Sequence, residues 1–473
     1  DGGETQFQEL TLTRGFQSSV EPVLHFGIGK KNSIEKVRVL WQDGKEQVLN
    51  NVEANQLLAV DYNNAQTKGE SQKEEWKKLF EDITDKVQLK FKHEENPFND
   101  FAYQVLLPHK TSEYGPALAV ADIDNNGLDD IYIGGAYGQA GKMYYQNADG
   151  IFVEILNEVW EADQKQEDVG ATFFDANGDG LQDLYVVSGG NEAENESEYY
   201  QDRLYINEGQ GKFRKDSTAL PKINSSGSCV ISGDFDNDGD LDLFVGGRLT
   251  PRNYPVAPRS YILRNESSAS GPKFVDVTEE IAPGLAHVGM VTKAEWVDFD
   301  KDNYLDLMLV GEWMPISYFN NVQGKFVNET EKSGFSDTTG WWFGMISEDF
   351  DNDGDIDFVM GNLGQNYKYQ ATEKEPFSIY MRDFDRNDKN DIVLSYYESG
   401  TEYPVRGKGC SSEQIPVINY KFKDYKSFAS ASLADVYTTD ELKESLQFKV
   451  KSFASIYLEN MGDGKFKKWP LDN

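Results

Sequence analysis

Asp234-Phe235-Asp236-Asn237-Asp238-Gly239-Asp240-Leu241-Asp242 is the stretch on which the reading of the chain turns. It recurs, with Asp at its first and ninth positions, at 122–130, 175–183, 298–306, 349–357 and 383–391. Positions three and five are Asp or Asn in every copy, and a short apolar run follows each, as in Ile131-Tyr132-Ile133 or Leu243-Phe244-Val245. Oxygens converging at this spacing suit a hard divalent cation, and Ca2+ takes six to eight of them. Positions one, three, five and nine offer side chains and position seven a backbone carbonyl.

The candidate ligands are therefore Asp122, Asp124, Asn126, Leu128 and Asp130 in the first loop and Asp175, Asn177, Asp179, Leu181 and Asp183 in the second. The third supplies Asp234, Asp236, Asp238, Asp240 and Asp242, and the fourth Asp298, Asp300, Asp302, Tyr304 and Asp306. The fifth supplies Asp349, Asp351, Asp353, Asp355 and Asp357, and the sixth Asp383, Asp385, Asn387, Lys389 and Asp391. The sixth position needs a sharp turn with positive φ. Gly127, Gly180, Gly239 and Gly354 meet that need, while Asn303 and Asp388 are the non-glycine types that tolerate it best. Carboxylates packed this densely repel one another unless a cation sits among them. Loop six has three carboxylates rather than four at the side-chain positions and is expected to be the weakest site.

An EF-hand loop opens the same way but requires a bidentate Glu at position twelve and a helix beyond it. Position twelve is Ile133, Val186, Val245, Leu309, Met360 and Leu394, all apolar, and β-rich sequence follows. The pattern thus describes a Ca2+ loop that feeds a β-strand, up to six times.

Composition narrows the function classes. The 473-residue chain carries a net charge of −35, and 21 of its acidic groups sit at positions one, three, five and nine of the loops. Six bound Ca2+ would bring the charge to −23. A chain this acidic is poorly suited to nucleic-acid phosphates. Two cysteines, Cys229 and Cys410, leave a disulfide open, and four scattered histidines show no zinc-ligand spacing. No run of 18 apolar residues could span a membrane. Low-affinity Ca2+ sites fit a compartment where Ca2+ is millimolar, outside the cytoplasm. No signal peptide opens the chain, so its start is expected to lie upstream.

Residues 1–62 read as a small β unit, with Val37–Trp41 and Leu57–Val60 strand-like and a turn at Asp43-Gly44. Residues 63–78 read as a polar linker, and the repeats occupy 79–473. Phe80–Thr84 has the form of a blade strand, echoed at Phe274–Thr278. A hairpin form recurs at Met143–Phe152, Leu204–Phe213, Ser317–Phe326 and Ile456–Phe466. Successive loops start 53, 59, 64, 51 and 34 residues apart. Periods of this size in β sequence point to an all-β propeller, with seven blades expected. A helical insertion is expected near 421–450, where Thr438 and Glu441 have capping-box spacing. The last hairpin should lead into a further Asp loop, so one more repeat is expected beyond the C-terminus.

Three pieces of the first unit carry a family resemblance: Arg14–Ser19 (R-G-F-Q-S-S), His25–Gly29 (H-F-G-I-G) and Val39–Gly44 (V-L-W-Q-D-G). They resemble the ASPIC/UnbV domain, whose members have another strand before the first piece; its absence implies a clipped N-terminus. The Asp loops and hairpins resemble FG-GAP/VCBS propeller repeats. Together they resemble the cartilage-acidic-protein-like family common in Bacteroidota. That resemblance implies a non-enzymatic cell-surface module, binding a protein or glycan within an outer-membrane assembly.

The alternative is an extracellular polysaccharide-active enzyme of lyase type, or a glycan-binding module. No nucleophile elbow, metal-hydrolase motif or histidine cluster supports catalysis, so no catalytic residue is assigned. Three further stretches have weaker claims. Asn191–Tyr200 reads as a solvated acidic insertion, Trp341-Trp342-Phe343 as blade packing rather than a carbohydrate platform, and Arg406–Cys410 as a poor anion loop with no helix start behind it.

Overall fold

The computed structural model describes residues 5–11, 18–67, 79–156, 158–462 and 464–471. They form two compact units, Asp1–Asp82 and Ile83–Asn473. In the first, Ser33–Leu40 pairs antiparallel with Lys45–Glu53, and Gln66–Thr67 adds a short third strand. The hairpin turns at Asp43-Gly44: Gly44 has φ +83, its amide donates to the Trp41 carbonyl at 2.9 Å, and Asp43 accepts from the Lys45 amide. Leu57–Val60 is not a strand, and Leu57 is exposed; the third edge is taken by Gln66–Thr67 instead. The Arg14–Gln17 part of the ASPIC-like element lies outside the described residues.

The second unit is built from antiparallel sheets, four of four strands and one of eight; the eight-stranded sheet is two four-stranded halves joined where Glu312 pairs with Trp341 and Met314 with Gly340, which makes six four-stranded units among the described residues rather than seven. The first blade comprises Leu118–Ala121, Asp130–Ile133, Lys142–Gln146 and Phe152–Ile155. The second comprises Glu167–Phe174, Asp183–Gly189, Arg203–Asn207 and Phe213–Asp216. Ser226–Gly233, Asp242–Leu249, Tyr261–Asn265 and Phe274–Asp276 make the third. Met290–Val297, Asp306–Met314, Ser317–Asn321 and Phe326–Asn328 make the fourth. In each, the strands lie in chain order, as short connections favour.

The fifth blade breaks that rule. Gly340–Glu348 and Asp357–Asn362 pair with Ile456–Asn460 and Phe466–Pro470, so the C-terminal hairpin completes this blade instead of opening another. Between its halves lies the sixth sheet, ordered Thr401–Pro404, Asp391–Glu398, Phe377–Arg382, Leu446–Val450. The 34-residue spacing before loop six has its cause here: that loop belongs to an inserted sheet, not to the next blade.

The helical insertion starts earlier than its sequence pattern suggested, with short helices from Lys408–Gln414 to Thr439–Lys443, and 446–450 is strand. Thr438 and Glu441 do form the capping box. A helix start at Lys408 follows Arg406-Gly407, correcting the expectation of none, but the helix is only seven residues long. Phe80–Ile83 is not a strand and Thr84–Val87 is a single helical turn, whereas the echo at Phe274–Asp276 is one.

First strands of neighbouring blades lie side by side and are tied directly. The Ala117 amide donates to the Asp168 carbonyl at 2.8 Å, the Ser228 hydroxyl to the Val291 carbonyl at 2.7 Å, and the Thr292 hydroxyl to the Trp342 carbonyl at 2.7 Å. Between sheets sit apolar clusters such as Phe235, Phe244, Ile262, Leu307 and Phe319, all essentially buried. This is a β-propeller layout: sheets packed face to face, each Asp loop joining the first strand of a sheet to its second.

Candidate metal centres

All six loops take one backbone course. The position-six residue is left-handed in each: Gly127, Gly180, Gly239, Asn303, Gly354 and Asp388, with φ between +64 and +99. That amide then points back at the first Asp, at 2.8–3.1 Å in every loop. The position-seven amide donates to the side-chain oxygen at position five, again in all six. Position four is also left-handed, at Asn125, Gly178, Asn237, Lys301, Asn352 and Arg386, which the sequence pattern did not disclose.

The ninth-position Asp has a structural task besides any ligand role. Asp130, Asp183, Asp242, Asp306, Asp357 and Asp391 are all but fully buried. In the first five blades one oxygen accepts the amide of a third-strand residue: Gln146, Asn207, Asn265, Asn321 or Asn460, at 2.6–2.8 Å. The same asparagines latch blade to blade, since the side-chain amides of Asn207, Asn265 and Asn321 donate to the carbonyls of Ile123, Ala176 and Phe235 in the preceding blade. Burial raises these ninth-position carboxyls, Asp183, Asp306 and Asp391 to about 7 and Asp242 to about 8, against amides that favour the anion.

Do the loops fit a cation? Carboxylates converge at Asp122, Asp124 and Asp130; at Asp234, Asp236 and Asp242; at Asp298, Asp300 and Asp302; at Asp349, Asp351 and Asp353; and at Asp383, Asp385 and Asp391, with ligand atoms within 4.8 Å of one another. One oxygen each of Asp236, Asp240, Asp355 and Asp385 is screened from solvent with no hydrogen-bond partner. Buried acceptors without donors are rare unless something else meets them. Desolvation, reinforced by Asp238 and Asp236, pushes Asp240 up to about 6, as expected of a carboxylate pressed against others. The donor set is all oxygen, which suits Ca2+ or Mg2+ and not zinc. The loops therefore fit a hard divalent cation. Loop two is the exception: Asp175, Asp179 and Asp183 form no such cluster among the described residues, and Asn177 stands where the other five loops carry Asp. At position seven Leu128, Leu181, Tyr304 and Lys389 bring no carboxylate.

Several charged groups escaped the sequence reading because they interrupt apolar strands singly. Glu312, fully buried, accepts from Arg248 at 2.6 Å, from the Tyr254 hydroxyl at 2.5 Å and from His109 Nε2 at 2.8 Å. It is pulled down to about 2 by His109 and Arg248 despite burial. Arg203 pairs with Asp168 at 2.6 Å, both 2% exposed. Glu167 is 1% exposed with neither oxygen hydrogen-bonded; the Tyr114 amide favours its anion without reaching bonding geometry. The weaker candidates resolve as follows. Trp341 and Trp342 are buried packing residues, and only Phe343 is exposed. Asn191–Tyr200 is anchored rather than fully solvated, since Asn191 bonds Asp100 and Thr111 and Tyr200 is buried. Cys229 is buried, Cys410 exposed, and both are free thiols.

Comparison with known proteins supplies the family. Residues 1–67 match the ASPIC and UnbV model, and 122–186, 175–245 and 260–360 match that of the FG-GAP-like repeat. Loop six lies beyond those matches, in keeping with its place in an inserted sheet. Cartilage acidic protein 1 of Xenopus tropicalis is 32% identical over 219 residues, 44% of this chain and 31% of that protein, so the chain spans about a third of its relative. Among solved structures, Saccharomyces cerevisiae Sqt1 aligns over 76% of this chain and 85% of its own at 8% identity (TM-score 0.34). The V. cholerae biofilm matrix protein Bap1 aligns over 77% and 67% at 12% identity (TM-score 0.24). The chain thus carries FG-GAP-like repeats in its propeller unit and an ASPIC and UnbV match over residues 1–67, and it is similar to cartilage acidic protein 1.

Proposed function

We propose that the protein is a calcium-loaded, non-enzymatic binding or scaffold module that works outside the cell, docked in a surface or outer-membrane assembly. The observation that carries the reading is the convergence of three carboxylates in five of the six loops of one geometry, with an orphaned, solvent-screened oxygen on Asp236 and on Asp385 within those groups. Each bound ion would supply two positive charges where three carboxylates converge. It would hold the first-to-second-strand turn rigid, and with it the ninth-position Asp and the asparagine latch to the preceding blade. FG-GAP repeats and the likeness to cartilage acidic protein 1 support an extracellular setting, where free Ca2+ is high enough to fill modest sites. Among the described residues no helix is long and apolar enough to cross a membrane.

The test is affinity capture from native membranes in Ca2+ and again in EGTA, with partners identified by mass spectrometry and metal content by elemental analysis. An outer-membrane partner recovered only in Ca2+ is the expected result. Bound Ca2+ with no partner in either condition would sink the scaffold reading. Turnover of any member of an acidic-glycan panel would replace it with the lyase reading.

A further inference from the structure

Opposite the Asp loops, the propeller unit holds a cavity of about 440 Å³, a size that suits a small ligand. Val169, Ser228, Thr292 and Phe343 line it from the first strands of four consecutive blades. Each falls where the pairing with the second strand slips by one residue, so four bulges turn their side chains to one space. Pro108, His109 and Tyr114 close one side, and Arg248, Trp341 and Tyr367 complete the wall.

Three buried polar atoms on this wall's residues lack a partner, and the two nitrogens among them can only donate. Arg248 uses Nη2 on Glu312 at 2.6 Å, but its Nη1 has no partner, and neither has Trp341 Nε1; both residues are about 97% buried or more. The Tyr114 hydroxyl, on the ring that stacks over the Arg248 guanidinium at 4.4 Å, is also unpartnered. Ser228 and Thr292 already donate to carbonyls. His109 presents Nδ1 to the Lys110 carbonyl at 2.8 Å and Nε2 to Glu312 at 2.8 Å. Both partners are acceptors, so both ring nitrogens carry hydrogen and the imidazole is a cation. Arg248 and His109 thus face Glu312, so two cations offset the two carboxylates of the wall, Glu312 and Asp100, and what the wall holds free is donor capacity. The nearby Asp100 carboxylate is occupied by Thr111, Ser112 and Asn191.

We propose that this cavity binds a small carboxylate carried on a ring, its oxygens taking the free donors of Arg248 and Trp341 and its ring lying against Phe343 and Tyr367. Arginine forks match carboxylates in shape, and flat rings stack on aromatic walls. An aromatic acid and a uronic sugar share this chemistry, so both are used as probes. The site involves none of the Asp-loop residues and does not depend on the calcium reading.

The experiment titrates the full chain, in saturating Ca2+, with benzoate and glucuronate and with their uncharged amides, by calorimetry and ligand-observed NMR. At least one acid should bind about tenfold or more tightly than its amide, as loss of a charge-assisted contact predicts. Which acid binds decides between the two sources. R248K keeps the charge but loses the fork and should weaken the acid about tenfold, while W341F removes one N–H and should weaken it about threefold. Equal affinity for acid and amide overturns the proposal, as does no binding of either acid up to about 10 mM. A folded R248K with unchanged affinity overturns it too. Should R248K fail to fold, the acid–amide comparison on the unaltered chain still decides.

Discussion

The two ends of the blades balance their charge in opposite ways. At the loop end, up to five Asp crowd into nine residues, and four oxygens are left screened from water without a donor. At the other end, Asp168 meets Arg203 and Glu312 meets Arg248, each at 2.6 Å and nearly out of solvent. One end leaves its counter-charge to the solution; the other carries it in the sequence. The loop end should therefore answer to Ca2+ and the arginine end should not.

Chelation is the strongest way to break this comparison. A ligand at 100 times its Kd stabilises a folded protein by about 2.7 kcal/mol per site, so several loops together should lift the melting temperature by more than ~10 °C. Calorimetry in Ca2+ and in EGTA reads this directly, and coincident melting curves would mean the loops balance their own charge. Next in size is the arginine end. Glu312→Gln leaves Arg248 and His109 without their counter-ion and should cost about 3 kcal/mol, the scale for breaking a buried pair. That loss should be the same with and without Ca2+; a loss present only in EGTA would show that the two ends are coupled.

Much of the loop end was legible because its chemistry is local. A period-two run of Asp, a turn residue at position six and an apolar strand after it all lie within a dozen residues, and even the substitutes Asn303 and Asp388 adopt the left-handed turn. Lys301 and Arg386 take the same conformation at position four with no side-chain preference to announce it. The fifth blade was hidden for a different reason. Phe358 pairs with Leu458 across a hundred residues, and nothing in either strand names the other. Only the short spacing before loop six hinted that a sheet had been inserted. The arginine end was likewise silent, because Arg248 and Glu312 each appear as one charge at the tail of an apolar strand. Their pairing exists only once blades three and four stand side by side.

Within the loop end a smaller contrast separates loop two from loop six. Loop six brings Asp383, Asp385 and Asp391 together and leaves an Asp385 oxygen free, whereas loop two gathers no such trio among the described residues. Loop two, not loop six, should be the last to fill, so anomalous scattering from crystals at limiting Ca2+ should show its peak weakest. Full occupancy there with loop six empty would reverse the ranking. Asp179→Asn should then change total Ca2+ stoichiometry less than Asp236→Asn does in loop three.

The finest contrast lies inside the arginine end, where Glu167 has no arginine of its own. Burial, with Glu192 and Glu95 nearby, holds its carboxyl far above the ordinary 4.5. The Gly190 backbone presses against it, since a Cβ there would sit 2.5 Å from an oxygen of both Glu167 and Glu192. A raised carboxyl pKa means the fold keeps a proton that the unfolded chain releases. Stability from this group is therefore full below the unfolded pKa and falls as pH rises above about 4.5, because the unfolded state gains the freedom to ionise. Glu167→Gln keeps the shape and has no proton to lose. Its melting temperature should match the unaltered chain near pH 4 and exceed it increasingly toward pH 8, by about 1 kcal/mol or more at the upper end. A difference that stays flat with pH would mean that Glu167 is ionised in the fold and meets a cation of its own, which would make this end resemble the loops after all.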